Sequence, residues 1–307
     1  MHTAYISHPD CRKHRMGAGH PECPERLSAI EDQLIASGLM GLLRQYDAPF
    51  ATFEQLARVH KPHYIEAIKA ASPKHGLIQL DPDTAMNPHT WDAARRAAGA
   101  AVLATELVLD GNAENAFCAI RPPGHHAESA RAMGFCIFNN VAVGVAHAMQ
   151  KYGLQRIAIA DFDVHHGNGT EEIFRDDPRV MLCSTFQHPY YPFRGAGSGN
   201  EHIINVPLPA GTGGGAFREA VKQHWLPALE RLRPEMVFIS AGFDAHRDDD
   251  MAQFALQEAD YTWVTQQVKN IADEYAHGRI VSVLEGGYEL HALGRSVLAH
   301  LRALSGD

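Results

Sequence analysis

The chain has 307 residues, 45% of them hydrophobic and 21% charged, which is enough to enclose a large core and unlike disordered or collagen-like chains. Its formal net charge is -9, from 36 acidic and 27 basic residues, which argues against a nucleic-acid phosphate surface as partner and favours a cationic one. Neither a run of about 18 apolar residues nor a basic segment leading into an apolar one occurs, so no membrane span or secretory leader is expected.

Cys11, Cys23, Cys118, Cys136 and Cys183 are an odd, scattered set, which favours reduced thiols in a cytoplasmic protein over a disulfide scaffold. The oligomeric state is left open, a homo-oligomer included. Histidine is the one unusual count, at 20, and many of these residues sit beside Gly, Pro or Asp, as loop residues do.

From about residue 90 helical and strand patterns alternate. Alanine-rich Trp91 to Leu109 predicts a helix stopped by Asp110-Gly111, and Ala116 to Ile120 a strand halted by Arg121-Pro122-Pro123-Gly124. Val141 to Lys151 predicts a helix, Arg156 to Ala160 and Val180 to Ser184 strands, and Phe217 to Leu232 a helix. Met236 to Ser240 predicts a strand, Tyr261 to Tyr275 a helix, Arg279 to Leu284 a strand and Leu290 to Leu304 a helix. Short apolar strands separated by amphipathic helices are what a parallel sheet covered on both faces needs. No Pro/Ser-rich or charged linker divides the chain and no repeat is visible, so one α/β domain over residues 1–307 is expected.

Ligands bind beyond the carboxyl ends of such strands. Here those ends read RPPGHH, DFDVHHGNG, STFQH, SAGFDAHRD and LEGGY, so nearly every side chain suited to catalysis falls on one rim. If strand alternation continues through 161–165, Asp161, Asp163 and His165 lie on one side and Phe162 and Val164 on the other. Asp163 and His165 can then reach one ion, with Asp244 from a second strand end as the third ligand. Two carboxylates and an imidazole suit zinc with an open position for water, and would also accept Fe(II) or Co(II). The bland alternative, aspartates capping helices and a histidine on a surface loop, serves for any one residue but poorly for the whole pattern.

RPPGHHA at 121–127, GFCIFNNVA at 134–142, DFDVHHGNGT at 161–170, NVPLP at 205–209, SAGFDAH at 240–246 and LEGGYEL at 284–290, preceded by GHPECPERL at 19–27, resemble the histone deacetylase family, its class II branch and bacterial relatives in particular. The resemblance implies a three-layer α/β/α arginase-deacetylase fold with a central, mainly parallel sheet, and hydrolysis of an acyl-lysine amide at one zinc. It implies Asp163, His165 and Asp244 as zinc ligands, His125 and His126 as the tandem histidines with His126 as general base and acid, and Tyr288 as the donor to the carbonyl oxygen. Asp161 and Asn168 match the partners of His125 and His126, and a neutral Asn168 raises the basicity of His126 less than an aspartate could. Asp161 and Ser184 match part of a monovalent-cation site, for K+ or Na+, and Gly134, Phe135 and Tyr191 match the walls of the acyl-lysine tunnel. Relatives that prefer acetylated polyamines carry a glutamate where this chain has Met251, which points to acyl-lysine, although Asp248, Asp249 and Asp250 just before it keep an acetylated amine in view.

Three other patterns are read as decoys. DAHRD at 244–248 matches an arginase metal signature, but its partner motif is missing, so His246 and Asp248 are expected in a loop. Cys11, His14, His20 and Cys23 have zinc-like spacing but crowd into a short segment, and GTGGG at 211–215 lacks the full phosphate-binding fingerprint. Cys136 lies beside the expected pocket without a histidine partner, so packing is its expected role.

Overall fold

The computed structural model describes residues 2–306. In chain order the strands are β1 (Thr3–Ser7), β2 (Arg44–Asp47), β3 (Ile78–Asp81), β4 (Thr84–Met86), β5 (Asn115–Cys118), β6 (Ile157–Asp161), β7 (Val180–Gln187), β8 (Ile203–Leu208), β9 (Met236–Ala241) and β10 (Ile280–Leu284). The α-helices are α1 (Glu25–Ala36), α2 (Phe53–Ala57), α3 (Pro62–Ala71), α4 (Thr90–Leu109), α5 (Asn140–Tyr152), α6 (Asn168–Phe174), α7 (Gly214–Ala220), α8 (Leu226–Leu232), α9 (Glu258–Tyr275) and α10 (Leu290–Ser305).

Eight strands form one parallel sheet in the order β2-β1-β5-β10-β9-β6-β7-β8, and β3 and β4 form a separate antiparallel hairpin. The five consecutive strands β5, β10, β9, β6 and β7 are buried throughout, as strands covered on both faces must be. Helices α4 and α5 pack on each other and on the sheet, while α1, α9 and α10 pack together. The register aligns Asp161 with Ser184 on one side and Ser240 on the other, while β7 runs on to Gln187.

The elements expected after residue 90 are present, with boundaries moved by a few residues. Two differences have physical causes. The span 217–232 is a helix interrupted by a π turn at Val221–Trp225, and Pro227 just beyond it lacks the N–H that a regular turn would use. Strand β6 stops at Asp161, so alternation does not carry through 165; residues beyond it lie in a loop whose backbone is gathered by aspartate side chains.

Three strands of the main sheet lie outside the expected set. β1 is short, β2 is polar and largely exposed at one edge, and β8 at the other edge contains Pro207, which an edge strand tolerates because one row of its N–H groups has no strand to meet.

Candidate active site at the carboxyl rim

Asp161, the last residue of β6, is fully buried; one carboxylate oxygen accepts from the Asp163 N–H at 3.1 Å and the other faces His125 Nδ1 at 3.0 Å. Asp163 accepts from the His165 N–H at 2.9 Å and, through its second oxygen, from the Gly286 N–H at 2.9 Å. Asp244, beyond β9, accepts from the Val164 N–H at 3.0 Å. These backbone anchors turn three side chains inward: His165 Nδ1 lies 3.1 Å from Asp163 Oδ1 and 3.1 Å from Asp244 Oδ2. The ligand atoms of Asp163, His165 and Asp244 lie within 4.8 Å of one another, and all three residues are buried.

Two carboxylates enclosed this closely are costly without a cation. Burial, reinforced by the Asp163 charge, pushes the Asp244 carboxyl up to about 6. A divalent ion bound to this hard O,O,N set would relieve that cost, so the residues fit such an ion.

The tandem histidines follow β5. Glu285, just past β10, accepts from the N–H groups of Gly124 and His125 at 2.7 and 3.0 Å, which fixes the turn that presents both rings. His125 is flanked by Asp161 and Asp163, and although burial opposes a charge, these carboxylates hold its pKa up to about 10. His126 is pushed the other way, by burial and then by positive charge on His125 and His165. Adjacent rings 4.1 Å apart thus have opposite tendencies, and His126 is the one kept free to accept a proton. His126 Nδ1 lies 2.8 Å from Asn168 Oδ1.

Tyr288 reaches the same place from the loop after β10. Its backbone N–H donates to buried Asp249 at 2.6 Å, and Arg26 lies over its ring with the guanidinium carbon 5.0 Å from the centroid. Burial raises the phenol well above its ordinary pKa, so it remains a hydrogen-bond donor.

A cavity of about 270 Å³ opens above these groups, lined by Asp83, His126, Gly134, Phe135, His165, Tyr190, Tyr191, Met251 and Tyr288. Gly134 has φ +56, and a Cβ there would collide with the His126 ring, so this wall is formed by bare backbone. The remaining wall is mostly aromatic, a shape and polarity suited to an alkyl chain carrying a polar end group.

All of the site residues named from the sequence lie at or beside this rim. Ser184 does not line the cavity; its buried hydroxyl, level with Asp161, has no hydrogen-bond partner. His246 and Asp248 lie in the loop after β9, away from the ligand cluster, with His246 Nδ1 accepting from the Asp248 N–H. His14 pairs with Thr90, and Cys136 is buried with its sulfur 3.3 Å from the Gly134 carbonyl oxygen.

Several residues that build the site were not singled out in the sequence. Tyr190 stacks on His165 at 5.8 Å and donates to the Met251 carbonyl at 2.9 Å. Asp249 also accepts from Met251 and Glu289, and Asp83 accepts from the Gly134 N–H at 3.0 Å. Glu22 grips buried Arg121 through both carboxylate oxygens, and Arg26 donates to the carbonyls of Glu285 and Gly287. The sequence signal for Glu285 was its place in LEGGY immediately after a strand; for Asp249 it was hidden in a run of three aspartates, of which it alone is buried.

Residues 20–304 match the family model described as the histone deacetylase domain. The chain is 40% identical over 298 residues to the histone deacetylase-like amidohydrolase of Pseudomonas aeruginosa, covering 94% of this chain and 78% of that protein. It is 38% identical over 315 residues to a probable deacetylase of Archaeoglobus fulgidus, covering 100% and 87%, and 37% identical over 334 residues to human polyamine deacetylase HDAC10, covering 100% and 48%. The crystal structure of the HDA15 HD domain superposes with a TM-score of 0.92 at 33% identity, covering 100% of this chain and 88% of that one. The parallel sheet between helical layers is the arginase-deacetylase fold.

Proposed function

The chain belongs to the histone deacetylase family, and from that premise we propose that it is a metal-dependent amidohydrolase that removes the acyl group from an acyl-lysine side chain. The observation that carries this reading is the convergence of Asp163, His165 and Asp244, the second of which lines a mostly aromatic cavity together with His126 and Tyr288.

Asp163, His165 and Asp244 would hold the ion. Zinc bound there supplies Lewis acidity, both to a water molecule and to the substrate carbonyl, and iron(II) suits the same donor set. His126 Nε2, the nitrogen not facing Asn168, accepts the proton of the attacking water and returns it to the departing lysine nitrogen, a contribution typically of about 10² to 10⁴ in rate. Tyr288 donates to the oxygen on which negative charge develops. His125 lies between Asp161 and Asp163 with its ring against that of His126, where it orients the tandem pair.

Phe135, Tyr191 and the Gly134 backbone flank the methylenes of the acyl-lysine, and Met251 presents an apolar side chain at the wall. Buried Asp161 and the unpartnered Ser184 hydroxyl fit a monovalent cation, potassium or sodium, that would satisfy both. Five free cysteines, four of them buried, support a reducing cytoplasm, and among the described residues no helix is long and apolar enough to cross a membrane. We read the chain as one catalytic domain.

A second reading, an acetylated polyamine as substrate, is favoured by one observation: the Asp83 carboxylate lines the cavity and could meet a cationic amine. Turnover of an acetyl-lysine peptide and of N-acetylputrescine by the zinc-loaded protein separates the two. The proposal expects the higher kcat/KM on the peptide and loss of activity with a chelator; preference for the amine would replace the substrate, and peptide binding without any turnover would end the enzymatic reading.

A further inference from the structure

The group that orients Asn168 lies outside the cavity. Asn168 Nδ2 donates to Glu128 Oε1 at 2.9 Å, and the same carboxylate oxygen accepts from Arg194 Nη1 at 2.7 Å. The other half of the amide, Oδ1, lies 2.8 Å from His126 Nδ1. An ionised carboxylate only accepts, so it can face only the NH₂ end of the amide, and the carbonyl end is then turned to the imidazole. His126 Nδ1 must therefore carry the proton, and the lone pair is left on Nε2. A reversed amide would put a donor against Nδ1, move the proton to Nε2 and remove the lone pair that a general base needs. Of the other acceptors near Nδ2, the His126 carbonyl at 3.4 Å is long for a hydrogen bond to oxygen, and Met133 Sδ at 3.4 Å is a thioether, a weak acceptor.

We propose that Glu128 is a positioning residue that sets the tautomer of His126 through the Asn168 amide, with Arg194 tying it to the loop that carries Tyr190 and Tyr191. The inference rests on His126 as the base. It extends the machinery one residue outward, to a carboxylate that belongs neither to the ion cluster nor to the cavity lining. It also explains how a neutral asparagine can direct a histidine: the charge stands behind the amide instead of on it.

The test uses zinc-loaded protein and an acetyl-lysine peptide. Glu128→Ala should lower kcat about tenfold, within the range seen when groups supporting a metal site are removed, with KM changed less than about twofold and zinc content unchanged. Glu128→Gln, whose side-chain oxygen can still accept from Asn168, should recover most of the loss. In an Asn168→Ala background Glu128→Ala should add nothing, because it acts only through that amide. Long-range proton–nitrogen spectra should place the His126 proton on Nδ1 in the parent and on both nitrogens in Glu128→Ala. If the alanine variant does not fold, Glu128→Met keeps the volume without the carboxylate and is read the same way. Equal losses in the parent and Asn168→Ala backgrounds, or an unchanged kcat in Glu128→Ala while Asn168→Ala is impaired, would overturn the proposal. A silent Asn168→Ala would instead overturn the pairing of His126 with Asn168, and the role of Glu128 with it.

Discussion

Behind the sheet, His300 is enclosed between the hydroxyls of Thr265 at 2.6 Å and Ser282 at 2.8 Å, and burial drives its pKa down to about 3. At the carboxyl rim His125 is just as enclosed, yet against that burial Asp163 and Asp161 hold it up to about 10. The same side chain, equally dry, is kept neutral in one region of the molecule and favoured as a cation in the other. The difference lies in the company: hydroxyls accept a neutral imidazole, whereas buried carboxylates need positive charge nearby. A site in this chain is therefore marked by gathered carboxylates, and the count of histidines alone says little.

The sharpest way to break this comparison is to remove a rim carboxylate. Asp244→Ala should lose stoichiometric metal and reduce turnover by about three orders of magnitude, the rate equivalent of several kcal/mol of Lewis-acid stabilisation. Chelation should lower the Tm of the parent but not of the variant, because only the parent gains stability from the ion; equal shifts would mean that the cluster holds no ion. Tyr288→Phe should cut kcat by about 10² to 10³ with metal content intact, and near-normal turnover would remove the phenol from the mechanism. Asp249→Asn, which leaves one carbonyl oxygen for three N–H groups, should reduce kcat about tenfold by loosening Tyr288. A normal kcat together with a lowered Tm would make Asp249 purely a matter of stability.

The smallest effect concerns the other region. His300 and His60, the latter held down to about 4 by burial, both bind a proton more readily in the unfolded chain, where the ordinary value is 6.5. Their contribution to stability is full above about pH 6.5 and is lost as pH falls toward the folded values, with a slope of up to about 1.4 kcal/mol per pH unit for each. Urea unfolding of the parent and of His300→Asn at pH 7, 6 and 5 isolates it, because carboxyls raised by burial, such as Asp244 and Glu285, titrate with the opposite sign over the same range; equal pH slopes in the two proteins contradict a neutral His300.

The rim was legible because strands of a parallel sheet announce themselves as apolar runs, and the polar residues after them must share one edge. Asp163, His165, Asp244, His126 and Tyr288 could be named on that basis with the family resemblance. The edges were not legible: β2 is polar and exposed, β8 contains Pro207, and neither carries the continuous apolar signal of a covered strand. Strand alternation put Asp161, Asp163 and His165 on one side, yet what turns them together is a loop in which each aspartate accepts from a backbone N–H. Such anchors depend on where separate segments meet, as do Glu128 behind Asn168 and Asp249 behind Tyr288. Sequence spacing does not encode that.

The wall of backbone around the ligand cluster has an evolutionary consequence. A Cβ at Gly286 would collide with the Asp244 carboxylate, one at Gly242 with that of Asp163, and one at Gly134 with the His126 ring, so mutation has almost no freedom on those sides. Drift in what the enzyme accepts has its freest positions at Met251 and Asp83, because Tyr190, Tyr191 and Phe135 pack on His165, His126 and Tyr288. Chemistry and selectivity are inherited on separate surfaces of one small chamber, and a new substrate can be acquired without rebuilding the old reaction.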